Sequence, residues 1–579
     1  MSAQLGMNEA TLATIGPELD ALAAEAMAEW KVPAVAMAVV QNGETVLLKA
    51  HGQRNAETGL PTTAETHFTI CSITKTFTAT GLAMLVDEGL LDWTKPVRDY
   101  IPEFRLHEAI ATDRVTVRDL LSHHSGLPRH DWIWMPGDLS RTEMLAAMRH
   151  VEPSRDIRTS YQYSNLGYNA ASIVAERITG LSWEEFTQTR IADPLNMPMT
   201  FAAENLEATE DAATPYIIHR DQRQATRHWP IRATAAGAIN TSVTAIANWM
   251  TFLLADGKFR GEQLLSSALI REMHAPRVYA GAPESEFGPS HYGLGYVSTT
   301  YRGERIVGHS GGWLGWSTLM RLLPERNLGI AVFCNLGGAP VPAILINYVS
   351  DRLCGKEPVP WLNRLRDLRR KEVEREQADQ PTVRKPNAPH GHDLSDYAGN
   401  YHHPAYGQIT ITRNGDELHW TWRTLSGALS HRHYETFDVP RLVYELNPDH
   451  LAISFMTDRD GNVSSLSAQL EPMTEDIVFA RVASGECMDI AFREACVGRY
   501  RSGSITHEIS LRANGQLTLK LDYQPLYKLS PYQGAVFSIV ELEGFRVEFR
   551  PGPTKSADEL VFHQPNGTFV VPRIDADDV

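Results

Sequence analysis

The chain has 579 residues, 43% of them hydrophobic and 21% charged, and a formal net charge of −16. That length exceeds one ordinary core and predicts about three domains. So acidic a balance argues against nucleic acid or an anionic membrane as the main partner. Five scattered cysteines without Cys-x-x-Cys spacing read as free thiols, not as a disulfide framework. Met1 to Asp20 lacks the basic-then-apolar pattern of a secretory signal. No run reaches the roughly 18 apolar residues of a membrane span. The expected location is therefore cytoplasmic, with a processed periplasmic form as the alternative.

Apolar positions at Leu19, Leu22, Ala23, Met27 and Trp30 predict a helix over 11–30. A hairpin follows, with Ala34 to Val40 and Thr45 to Lys49 joined at Asn42-Gly43. Helices are expected at Thr74–Leu90 and Val117–His123, the second stopped by Gly126 and Pro128. Residues 304–310, 315–323 and 328–335 read as strands, the last two turned by Pro324-Glu325-Arg326-Asn327. The first part therefore predicts helices around an antiparallel sheet whose strands come from both ends of the segment. Trp361 to Gln377 is densely charged and reads as a solvated connecting helix, followed by a Pro-containing polar linker from Gln380 to His392. Beyond it, two strand-rich blocks begin alike, at Tyr397-Ala-Gly-Asn-Tyr401 and Val497-Gly-Arg-Tyr500. Asn414-Gly415 and Asp460-Gly461 punctuate the first, and Asn514-Gly515 and Asn566-Gly567 the second. They predict two small antiparallel barrels.

Three motifs carry chemistry. Ser72 is the only serine with lysine three residues on, in Ser72-Ile-Thr-Lys75. On one helical face Lys75 reaches the hydroxyl, burial lowers an ammonium's pKa, and a helix start offers N–H groups to an oxyanion. Tyr163 is the only tyrosine with asparagine at +2. Its phenol suits proton transfer, and Asn165 suits a substrate amide. Gly308-His309-Ser-Gly311-Gly312 is a side-chain-poor strand against which a substrate can lie. The second His-Ser-Gly copy, His124-Ser125-Gly126, reads as a helix stop. Histidine pairs lack zinc-ligand spacing, so no metal is expected. Trp132, Trp134, Trp313 and Trp316 flank the motifs, and the two beside the glycine-rich strand are candidates to line an apolar pocket.

In this order, Ser-x-x-Lys, Tyr-x-Asn and His-x-Gly resemble the serine β-lactamase and penicillin-binding protein superfamily, class C side. Val115–Pro128, Ala236–Ser242 and Tyr292–Tyr296 look like the same family, and the resemblance spans residues 11–355. It implies a β-lactamase-like α/β (α+β) catalytic domain over 1–355, a charged helix and linker over 356–392, a lipocalin-like barrel over 393–483 and a second barrel over 490–576. It also implies that Ser72 is acylated, that Lys75 and Tyr163 take its proton, and that Asn165, His309, Gly311 and Gly312 bind substrate. Backbone N–H groups of Ser72 and Gly312 would form the oxyanion hole. Which of Lys75 and Tyr163 is the formal base stays open in the sequence.

Many relatives carry lysine where His309 stands. Histidine is only partly charged near neutral pH, which moves the expected chemistry from penicillin toward peptide and amide hydrolysis. D-aminopeptidase and related D-peptidases are similar, and there a loop of the last barrel limits the site, which would fall here near Pro531 to Gly544. The expectation is a peptidase or amidase acting on small peptides or amino-acid amides, D-residues included. The alternatives are a carboxylesterase, a β-lactamase, or a penicillin-binding protein that acylates slowly. No cofactor is implied, the partner is a small-molecule or peptide substrate, and the barrels add surface on which a homo-oligomer could form.

Overall fold

A computed structural model describes residues 2–378, 385, 387–439, 451–459, 461–542, 544–552, 557–564 and 566–574. Asp460, Glu543, Pro565 and, of the linker from Gln380 to His392, residues 380–384 and 386 lie outside them. The chain forms two compact units, one preceding the linker and taking in Glu471–Glu475, the other comprising the rest of the described residues beyond the linker.

The first unit is built on a nine-stranded sheet in which every pairing is antiparallel. Its centre comprises β1 (Ala34–Gln41), β2 (Glu44–Asn55), β3 (Val297–Tyr301), β4 (Glu304–Trp313), β5 (Trp316–Leu323) and β6 (Leu328–Cys334). In space these run β3-β4-β5-β6-β1-β2, so the N-terminal hairpin pairs with the last strand of the unit, Ala38 opposite Ala331. The hairpin turn is Asn42-Gly43, with φ of 54° and 84°. Two positive φ values suit the right-handed twist of the strands, and Asn and Gly tolerate them.

Every residue of β1 is buried, because both faces of the sheet are covered. On one face α1 (Ser2–Trp30) and a later helix, Val341–Leu353, bring Leu19, Ala23, Trp30, Ile344 and Leu345 into a cluster with Val35, Met37 and Val39. Against the opposite face packs the helix Val243–Leu254, where Gly329 of β6 lies close under Met250. Trp249 of that helix stacks on Phe77 of α2 (Thr74–Asp87) at 4.0 Å between centroids. Burying each of these rings is worth about 1.5–3 kcal/mol, and the stack fixes α2 beside the sheet. Helix α3 (Val117–Leu121) carries a Thr116/Asp119 capping box, and α4 runs Asn165–Thr179. Among the described residues, no helix is long and apolar enough to cross a membrane.

The charged segment is helical over Trp361–Ala378. In the second unit one antiparallel sheet runs from Gly399–His403 to Ile477–Val482, and the next from Gly498–Ser502 to Gly567–Pro572. The second curls until Tyr500 on its first strand bridges Arg573 beyond its last. Both are nearly closed barrels. Their similar openings have the same geometry: the Tyr401 hydroxyl donates to the Tyr397 carbonyl at 2.7 Å, and the Tyr500 hydroxyl to the Cys496 carbonyl at 2.9 Å, each four residues back. Within Pro531–Gly544 the described residues include the end of the strand Leu526–Gln533 and its hairpin partner Val536–Ile539 in the second barrel.

Candidate active site

A single 3-10 turn, Cys71–Ile73, leads into α2. Ser72 sits in this turn rather than opening the α-helix, and Lys75 lies in the first turn of α2. The 3-10 turn also sets positions i and i+3 on one side, so the pair still meets. Cys71 adopts φ 50°, a left-handed conformation unusual for a residue with a side chain. It is held there by packing. A Cβ on Gly311 of β4 would lie 2.3 Å from the Ile70 carbonyl oxygen and 2.8 Å from Cys71 Cβ, so only glycine lets the strand approach the turn. The Cys71 thiol is buried and its pKa pushed far up by burial, which makes it an inert thiol beside the serine.

Lys75 is fully buried. Its Nζ lies 3.1 Å from Ser72 Oγ, 2.7 Å from Asn165 Oδ1 and 2.8 Å from the Ala236 carbonyl oxygen. Two of these neighbours are carbonyls and can only accept, so they take two N–H groups. In the ammonium form the third N–H meets Ser72; in the neutral amine the lone pair does. Burial, the largest influence, drives the Lys75 pKa well below the ordinary lysine range; Asp131 opposes this and Arg129 assists it. Burial therefore favours the amine form facing the serine hydroxyl. The Tyr163 hydroxyl donates to Ser72 Oγ at 2.8 Å. Burial raises the Tyr163 pKa, so the phenol stays protonated.

Asn165 starts α4 with its side chain spanning two partners: Oδ1 toward Lys75, and Nδ2 donating to Asp131 Oδ1 at 2.9 Å. Because a carboxylate only accepts, Asp131 fixes which way the amide faces. Trp134 Nε1 also donates to Asp131 Oδ1 at 2.8 Å, and Arg129 Nη1 donates to Oδ2 at 3.1 Å.

His309 on β4 is buried, with Nδ1 2.5 Å from the Ser310 carbonyl oxygen and Nε2 2.9 Å from the Tyr292 hydroxyl. A carbonyl cannot donate, so Nδ1 carries the proton and Nε2 accepts from Tyr292. Burial, with Lys75 nearby, pushes its pKa down to about 3. Both nitrogens are engaged, and burial favours the neutral imidazole over the partly charged one expected from the sequence. Gly311 faces the nucleophile turn, whereas Ser310 and Gly312 are the exposed positions, and a Cβ on Gly312 would meet only open space.

Ser72, Tyr163, Asn165, His309 and Gly312 border one cavity of about 430 Å³. Trp134 and Trp313 form an aromatic wall, their rings 5.0 Å apart. Trp132 and Trp316 do not line this cavity, so one tryptophan of each pair borders it. The sequence reading missed Arg129, Asp131 and the Ala236 carbonyl. The first two follow the His124-Ser125-Gly126 copy, which does stop α3, with His123 at φ 57° and Gly126 at φ 85°. The same stop brings His123 against Tyr163, rings 4.4 Å apart, and Tyr163 in turn reaches Ser72.

Fold and site together define a hydrolase of the β-lactamase and penicillin-binding protein superfamily. The chain belongs to the Beta-lactamase family, whose model matches residues 19–351, and residues 383–481 match a domain of unknown function, DUF3471. An unguisins hydrolase of Aspergillus campestris (strain IBT 28561) is 30% identical over 406 residues, 66% of this chain and 75% of the relative. The octameric penicillin-binding protein homologue of Pyrococcus abyssi shares the fold at TM-score 0.54 and 24% identity, over 80% of this chain and 99% of its own. The D-amino acid amidase of Ochrobactrum anthropi SV3 does so at TM-score 0.51 and 23% identity, over 59% and 98%.

Proposed function

We propose that the protein is a serine peptidase or amidase that works through an acyl-enzyme on Ser72, acting on small peptides or amino-acid amides, D-residues included. The observation that carries this is the Ser72 hydroxyl set between a buried Lys75 amine at 3.1 Å and a protonated Tyr163 phenol at 2.8 Å. As Ser72 Oγ attacks the carbonyl carbon, its proton passes to Lys75 Nζ, which becomes an ammonium. The backbone N–H groups of Ser72 and Gly312 receive the oxyanion. Tyr163 protonates the leaving nitrogen as the C–N bond breaks, and the Lys75 ammonium restores the phenol. Water then attacks the ester and Lys75 takes its proton; as the acyl C–Oγ bond breaks, the Lys75 ammonium returns that proton to Ser72 Oγ and the carboxylic acid leaves. The opposed directions of the two shifts support Lys75 as the base and Tyr163 as the acid.

The neutral His309 supports this substrate class, because it offers no fixed charge at the third motif. The relative named as an unguisins hydrolase supports a hydrolytic reaction. The test is fluorophosphonate labelling with mass mapping on wild type and Ser72→Ala, followed by a panel of D- and L-amino-acid amides, dipeptides and short acyl esters. Label on Ser72, absent in the variant, with amide turnover is the expected result. Label elsewhere, or full activity in Ser72→Ala, sinks the proposal, and turnover of esters alone makes the enzyme a carboxylesterase.

A further inference from the structure

The substrate cavity holds one cation and one carboxylate among its described lining residues, Arg129 and Asp131, and neither belongs to the three motifs. They are unequal. Asp131 already receives the indole N–H of Trp134, the amide N–H of Asn165 and a guanidinium N–H of Arg129, and only 19% of its side chain is exposed. A substrate ammonium approaching it would compete with those donors and meet the guanidinium beside it. Arg129 is the reverse case. It lies over the Tyr163 ring, 4.5 Å from the centroid, and 56% of its side chain is exposed. One of its five N–H donors is engaged with Asp131. The remaining donors form the planar fork that suits a carboxylate. Lys75 cannot compete for such an anion, being fully buried, and His309 is neutral. Tyr163 links the two ends: its hydroxyl touches Ser72 Oγ while its ring carries the guanidinium. An anion on Arg129 therefore lies within a residue or two of the scissile carbonyl.

We propose that Arg129 is the specificity-determining residue of this site, and that among the substrates of the proposed function it favours peptides with a free carboxylate near the scissile bond. The proposal rests on the reading of Ser72 as the acylated residue. It assigns the anion-binding role, missing from the third motif, to the loop that follows α3.

The test uses the full chain and matched N-acetyl dipeptides, one with a C-terminal carboxylate and one with the carboxamide, cleaved at the same internal bond. In wild type the acid is expected to exceed the amide at least tenfold in kcat/KM. Arg129→Gln is expected to collapse that ratio toward one, mostly through KM of the acid, and Arg129→Lys to keep part of it. A ratio near one in wild type, or an unchanged ratio in Arg129→Gln, overturns the proposal. Fluorophosphonate labelling runs in parallel: if Ser72 of the wild type does not label, the underlying reading falls and this one with it. If Ser72 labels and no acid preference appears, this one alone falls.

Discussion

Lys75 has no solvent contact and two carbonyl oxygens holding its hydrogens, so its useful state is the amine. Replacing it by methionine keeps the bulk and removes the base. Lys75→Met should lower kcat/KM by about 10²–10⁴-fold, the range for losing a general base. The pH dependence has a definite sign. Activity rises as Lys75 loses its proton, so kcat/KM has an acid limb well below the ordinary lysine range. The Asp131 charge favours the ammonium and lifts that limb. Asp131→Asn removes the charge, so the limb should move to lower pH, read from kcat/KM profiles of both proteins. A limb that stays put or moves upward would show that Lys75 is not the titrating base.

At the scale of elements, the proposed catalysis depends on how closely β4 approaches the Cys71–Ile73 turn. Gly311 and Gly312 are neighbours in sequence but face opposite environments: a Cβ on the first meets the Ile70 carbonyl at 2.3 Å, and on the second meets nothing. Gly311→Ala should therefore cost about 1–3 kcal/mol, with a loss of activity as the strand is pushed off the turn. Gly312→Ala should leave Tm within about a degree, since surface changes without a lost contact are within about ±0.5 kcal/mol. Thermal unfolding followed alongside turnover separates the two. The contrast also shows what the sequence could disclose. Ser72 and Lys75 are legible because their meeting is local, three residues on one turn. Tyr163 and His309 are legible through order and spacing. Asp131 meets Asn165 across 34 positions, by way of a loop, and no local pattern records that. Ala236 acts through a backbone carbonyl, which every residue type possesses. The tryptophans were less legible: Trp313 and Trp316 are direct partners across the β4/β5 turn, which alternation puts on one face, yet only Trp313 borders the cavity.

Across the whole molecule, the sheet joining both ends of the first unit and the two strand-rich blocks were legible from periodicity and turns. The barrel repeat gains a physical basis in Tyr401 and Tyr500, whose buried hydroxyls hold the carbonyl four residues back. Removing either hydroxyl leaves a buried carbonyl with one partner fewer, so Tyr401→Phe and Tyr500→Phe should each cost about 1–3 kcal/mol. The first unit carries a different liability. His123, His274 and His309 are buried, and burial lowers all three pKa values, to about 3 for His274 and His309. In the unfolded chain each takes up a proton near pH 6.5, and in the folded unit each resists it. Between those limits the unfolded state binds more protons, so stability falls as pH drops from about 6.5 toward 3, while above 6.5 these groups contribute no slope. His274 is the clean probe, because it packs against Tyr296 and touches neither Ser72 nor Lys75. Denaturant midpoints measured from pH 8 to pH 4 should fall on the acid side in wild type and fall less steeply in His274→Phe. Equal slopes in the two proteins would mean that this imidazole is charged in the folded state, and that the buried histidines do not set the acid limit of the unit.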